Sequence, residues 1–73
     1  MLGGDIMTEL AVLRKQTGLT QKQIARRIGI SHKAWQSYET GFMTPRPAVM
    51  QKIEDYFNVP KEVIFSAAFN YKM

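Results

Sequence analysis

The sequence predicts an all-α fold: one domain, residues 1–73, built from five short helices. Three observations carry this reading. Apolar residues recur three and four apart, the period of a helix, and no stretch alternates as a strand would. Each of the first four apolar stripes follows a helix-capping residue or a proline and is closed by glycine or asparagine. No repeat, low-complexity run or linker divides the chain, so a single core has to serve all of it.

The first helix is expected from the stripe Ile6, Leu10 and Leu13, with Asp5 placed to cap it and Gly18 to end it. Thr20 then opens a second helix, and Gln23 three residues on completes a capping box. Ile24, Ala25 and Ile28 face inward from that helix, and Gly29 stops it. Ser31 caps a third helix whose apolar pair is Trp35 and Tyr38, with Gly41 as its stop. The prolines Pro45 and Pro47 make residues 42–47 a loop, and Pro47 suits the first position of a fourth helix. Val49, Met50, Ile53 and Phe57 are its apolar face, and Asn58 closes it. Pro60 opens a short fifth helix carrying Val63, Ile64 and Phe65, and the tail still holds Phe69 and Tyr71.

Charge is distributed unevenly. The net charge is +4, but between Arg14 and Arg46 seven basic residues face Glu39 alone. Those residues are Arg14, Lys15, Lys22, Arg26, Arg27, Lys33 and Arg46. From Pro47 onward, basic and acidic side chains balance. Such a concentration suits a surface that binds a polyanion. Other classes fit poorly. With no cysteine and only His32, neither a disulfide framework nor a metal site is expected. Glu54 and Asp55 are adjacent on an outer helix face, which is no pocket for acid–base chemistry, so no enzyme and no cofactor are expected. The first residues lack the basic start and apolar run of a secretory signal, and no stretch nears the ~20 apolar residues of a membrane span. A cytoplasmic protein without membrane association is the expectation.

Residues 20–41 form the constellation that carries function. Two short helices meet at a tight turn, with Ala25 small enough for close approach and Gly29 suited to an unusual backbone angle. Ile24, Ile28, Ile30, Trp35 and Tyr38 fill the wedge between them. The second helix of the pair then projects with a polar N-terminal end, the shape that enters a major groove.

The run Leu19-Thr20-Gln21, with Ile24-Ala25, Ile28-Gly29-Ile30-Ser31, Tyr38-Glu39 and Gly41, resembles the helix-turn-helix of the phage Cro and CI repressor family. The Pro45 loop, the apolar fourth helix and the step Asn58-Val59-Pro60 extend the likeness over almost the whole chain. The resemblance implies a five-helix lambda-repressor-like DNA-binding domain, with the recognition helix at about Ser31–Thr40. It also implies a regulator of a phage or mobile element that works in a bacterial cytoplasm. Trp35 departs from the family, which carries a smaller aliphatic residue there. Either the core around the third helix is rearranged, or Trp35 is exposed as a contact surface.

The resemblance assigns roles. His32, Lys33, Gln36 and Ser37 lie on the outward face of the third helix as candidate base contacts. Lysine donates well to guanine O6 and N7, while histidine and glutamine donate or accept. Thr20, Gln21, Lys22, Arg26 and Arg46 are candidate phosphate contacts, with Lys33 able to serve there too. Arg14 and Glu39 are expected to pair internally, tying the first helix to the end of the third. A near-palindromic operator would be bound by a weak homodimer, with residues 60–73 as the dimerisation segment. Val63, Ile64, Phe65, Phe69 and Tyr71 are its candidates, unless they fold back onto their own core. Two other readings keep the fold. One is an anti-repressor or protein-interaction module that binds another phage regulator, for which an exposed Trp35 and the apolar tail would speak. The other is an antitoxin, whose toxin-binding extension is hard to find in so short a tail.

Overall fold

Five helices fall between the caps and stops that the sequence marks, and one further turn follows them. A computed structural model describes residues 7–69, Ala67 by its backbone alone. In chain order the elements are α1 (Glu9–Thr17), α2 (Gln21–Ile28), α3 (His32–Glu39), α4 (Pro47–Phe57), α5 (Lys61–Ile64) and α6 (Ser66–Phe69). No strand occurs among the described residues. The fifth helix and α6 are separated at Phe65, whose backbone (φ −113°, ψ 42°) leaves the helical region.

Side-chain caps set the starts of the first three helices. The Thr8 hydroxyl accepts the Ala11 N–H at 3.0 Å, so Thr8 and not Asp5 caps α1. The same hydroxyl donates to the Glu39 carbonyl at 2.6 Å, which explains why the helix begins there. Asp5, expected as the cap, and Ile6, expected in the apolar stripe of this helix, lie outside the described residues. At α2 the capping box is complete: Thr20 Oγ1 accepts the Gln23 N–H at 3.1 Å, and the Thr20 N–H donates to Gln23 Oε1 at 2.9 Å. Ser31 Oγ accepts the Ala34 N–H at 3.0 Å at the start of α3. Caps of this kind each contribute about 1 kcal/mol. Pro47 occupies the first position of α4, where its missing N–H leaves nothing unsatisfied.

The turn between α2 and α3 depends on Gly29, which takes φ 92°. Its N–H and that of Ile30 both donate to the Ala25 carbonyl, at 2.8 and 3.0 Å. A Cβ added at Gly29 would meet nothing within 4 Å, so glycine is needed there for its backbone conformation and not for space.

Leu10, Ile24, Ala25, Ile28, Trp35, Ile53 and Ile64 form the core, and α2 and α3 make the most extensive helix–helix contact. Trp35 is 0 % exposed, the largest fully buried side chain. It is core, and the reading of it as an exposed contact surface is thereby overturned. The wedge accepts an indole because its N–H has a partner, donating to Glu39 Oε1 at 2.5 Å. Ile64 is also a core residue, at 5 % exposure, and Phe65 packs partly buried against it. A single helical turn cannot present 63, 64 and 65 to one side. Ile64 is therefore removed from the candidate dimer surface, while Val63 on the other side stays half-exposed. Phe69 is half-buried, and Tyr71 lies outside the described residues.

Arg14 meets the Glu39 carboxylate with both prongs, Nε to Oε1 at 2.7 Å and Nη2 to Oε2 at 3.0 Å. Its remaining arm, Nη1, donates to the Leu19 carbonyl at 2.8 Å. The pair is largely buried, so removing one partner leaves a desolvated charge behind. Glu39→Ala is expected to destabilise the protein by about 3 kcal/mol, a fall in Tm on the order of 15 °C for a domain of this size. Thermal unfolding at neutral pH measures this, and an unchanged Tm would show that the pair carries no stability.

Candidate nucleic-acid interface

With Trp35 and Tyr38 turned inward, the helical period leaves His32, Lys33 and Gln36 on the opposite face of α3, and all three are exposed. Ser37, at the margin of that face, is half-buried. Because Ser31 is the cap, His32 and Lys33 are the first two residues of the helix and stand at its projecting end. Gln21, the first residue of α2, lies beside this face: the Gln36 amide donates to Gln21 Oε1 at 3.3 Å. Thr20 is exposed, although its hydroxyl is occupied as a cap.

Further cations are exposed on α2 and in the loop after α3. Lys22 and Arg26, one turn apart on α2, line a surface depression with Thr20, Gln23 and Arg27. Arg46 is exposed in the loop after α3, immediately before Pro47. Pro45 is buried, which anchors that loop on one side of Arg46, and α4 begins on the other. Among the described residues, Lys22, Arg26, Arg27, Lys33 and Arg46 have no carboxylate partner. Elsewhere Arg14 pairs with Glu39 and Lys61 with Glu54 at 3.1 Å, while Lys15 on α1 and Lys52 on α4 are likewise exposed and without a carboxylate partner among the described residues. Most of the cations without a carboxylate partner thus lie on α2, α3 and the loop behind them.

Residues 10–64 match the family model described as helix-turn-helix. The chain belongs to the helix-turn-helix family of the Cro and CI type. The match takes in both helices of the motif, the loop and the turn at α5 that returns Ile64 to the core. This helix-turn-helix protein is accordingly a DNA-binding regulator by family. No curated protein and no solved structure matches the chain. No helix among the described residues is long and apolar enough to cross a membrane.

Two features of the helix-turn-helix face were not singled out from the sequence. Arg27 joins Lys22 and Arg26 at the basic depression, although it reads as a solvated residue when taken alone. Phe42 is 83 % exposed in the loop after α3. The signal for it was present: an aromatic residue directly after the helix-ending Gly41, where nothing apolar remains to be covered.

Beneath the face, the Glu39 carboxyl is subject to opposing influences. Burial pushes its pKa up, but hydrogen bonds from Arg14 and Trp35, the neighbouring Gln21 side chain and the Arg14 charge outweigh burial and hold it below the usual carboxylate range. Arg14 is shifted the other way, raised chiefly by its hydrogen bond to Glu39. The sign for stability follows. A carboxyl with a depressed folded pKa contributes fully above its unfolded value, about 4.3, and loses that contribution as pH falls through the folded value. The Tm difference between wild type and Glu39→Gln is therefore expected to be constant from neutrality to about pH 5 and to shrink below about pH 4. Melting curves across that range check it, and a difference independent of pH would contradict an ionised Glu39.

Proposed function

We propose that this protein reads double-stranded DNA sequence-specifically, with α3 in the major groove, as a Cro-like or repressor-type transcriptional regulator. The observation that carries the reading is the exposed polar face of α3, which holds Lys33, together with Lys22, Arg26, Arg27 and Arg46 exposed on α2 and in the following loop, none of the five with a carboxylate partner among the described residues. His32, Lys33, Gln36 and Ser37 meet base edges, with Lys33 the donor suited to guanine. Thr20, Gln21, Lys22, Arg26 and Arg46 hold phosphates and set the register without reading sequence. Arg14 and Glu39 hold the fold and touch no base.

A single recognition helix reads few base pairs, so the operator is near-palindromic and bound by two subunits in a weak homodimer that DNA strengthens. Ile64 takes no part in that contact, since it is buried in its own subunit. Val63 is the remaining exposed apolar candidate, with Phe65 and Phe69 only partly exposed. The setting is a phage or related mobile element acting in the cytoplasm of a bacterial host. The rival reading, a protein-interaction module that binds another regulator, lost its main ground when Trp35 proved to be buried.

Selection of tight binders from a randomised duplex library at near-physiological salt tests this. Enrichment of a two-fold motif is expected, with Lys33→Ala relaxing the preference at one position by about tenfold and Lys22→Ala weakening all sequences alike. Recovery of no motif would sink the proposal and turn attention to a protein partner.

Binding is also expected to depend steeply on salt. With four to six phosphates neutralised per subunit, log K should fall with log salt at about −0.9 per phosphate. Affinity nearly independent of salt would contradict the phosphate assignments.

A further inference from the structure

Phe42 is the most exposed large hydrophobic side chain among the described residues, at 83 %. The core does not use it, yet the turn that carries it is well fixed. The Gly41 N–H donates to the Tyr38 carbonyl at 3.2 Å, the Met43 N–H to the Ser37 carbonyl at 3.1 Å, and the Phe42 N–H to Thr40 Oγ1 at 3.4 Å. The ring is therefore presented from a hydrogen-bonded turn, not from a loose loop.

Its surroundings indicate what it meets. Phe42 lines a shallow depression with Gln21, Gln36, Ser37 and Thr40, side chains of the α2–α3 polar face. Met43 turns elsewhere, lining a cavity with Leu10, Tyr38, Ile64 and Phe65. Met43 is itself 54 % exposed, but the two neighbours line separate depressions and not one. Phe42 instead extends the polar, cationic face at the end remote from His32 and Lys33.

We propose that Phe42 is an apolar contact of the DNA interface, its ring packed on nucleotide C–H surface at the outer edge of the half-site. This rests on the DNA-reading function above. Along a duplex such surface is offered by the thymine C5-methyl in the major groove and by the deoxyribose of the backbone. An uncharged ring adds affinity without releasing counterions, so its contribution is independent of salt. Against a thymine methyl it also adds specificity at a position that the N-terminal end of α3 does not reach.

The test compares the full-length protein with Phe42→Ala on two duplexes, the selected two-fold site and a single half-site. Phe42→Ala is expected to bind both about tenfold more weakly, with an unchanged salt slope and an unchanged Tm. Phe42→Leu should recover most of the loss. Uracil in place of the flanking thymines distinguishes the two partners. If the methyl is contacted, uracil weakens wild type and leaves Phe42→Ala unaffected; if the sugar is contacted, uracil changes neither. Undiminished affinity of Phe42→Ala on both duplexes overturns the proposal. So does a loss confined to the two-fold site, which would place the ring between subunits. A wild-type protein that selects no duplex overturns the DNA-reading function itself, and this inference with it.

Discussion

The Glu39 carboxylate is where α1 is tied to α3. Oε1 accepts from Arg14 and from the Trp35 indole, Oε2 accepts from the second Arg14 prong, and the Glu39 carbonyl accepts from Thr8. Arg14 continues to the Leu19 carbonyl and so takes in the link between α1 and α2. A buried charge is tolerable only when its bonding capacity is filled. That condition is met: no buried side-chain nitrogen or oxygen among the described residues lacks a partner. Apolar packing of Ile24, Ile28 and Trp35 brings α2 and α3 together, but it is non-directional. The hydrogen bonds that Arg14 and Thr8 make to Glu39 are directional, and they constrain the angle at which α3 leaves the domain.

That angle is what the exposed face depends on. Trp35 and Glu39 lie one turn apart on the inner side of α3, so fixing them fixes His32, Lys33 and Gln36 on the outer side. Charge is divided along the same line. The arginine that serves the fold is paired and largely buried, while the cations on α2, α3 and the following loop are exposed and without carboxylate partners. Gln21 connects the two regions, bonded to Gln36 on the surface and set against Glu39 beneath it. A ligand that pulls on Gln21 thus acts on residues whose positions the buried network already determines.

Most of the helix boundaries were legible because caps and stops are local. Thr20 with Gln23, Ser31, Gly29, Pro47 and Asn58 each act within a few residues of themselves. The start of α1 was misread because Asp5 and Thr8 are both competent caps, and the choice between them came from a tertiary bond, Thr8 to Glu39, that spans 31 positions. Trp35 was ambiguous for a similar reason. Size alone suggested a disturbed core, whereas the acceptor four residues on, Glu39, makes an indole at home there. Arg14 and Glu39 are 25 residues apart, and only the family likeness, not spacing, brought them together. Ile64 and Val63 have similar composition value but opposite exposure, a distinction set by the orientation of one helical turn. Phe42 escaped notice because residues 42–47 were read for their prolines and for Arg46.

The most direct test of this account is a titration of the isotopically labelled protein with its selected duplex, followed by backbone amide chemical shifts. The account predicts shifts concentrated at residues 20–22, 26, 31–37 and 42–46, with the buried amides around Glu39 moving little and the outer side of α4 not at all. Shifts centred on α4 or α5, with α3 unperturbed, would contradict it and place the DNA, or whatever this protein binds, on another face.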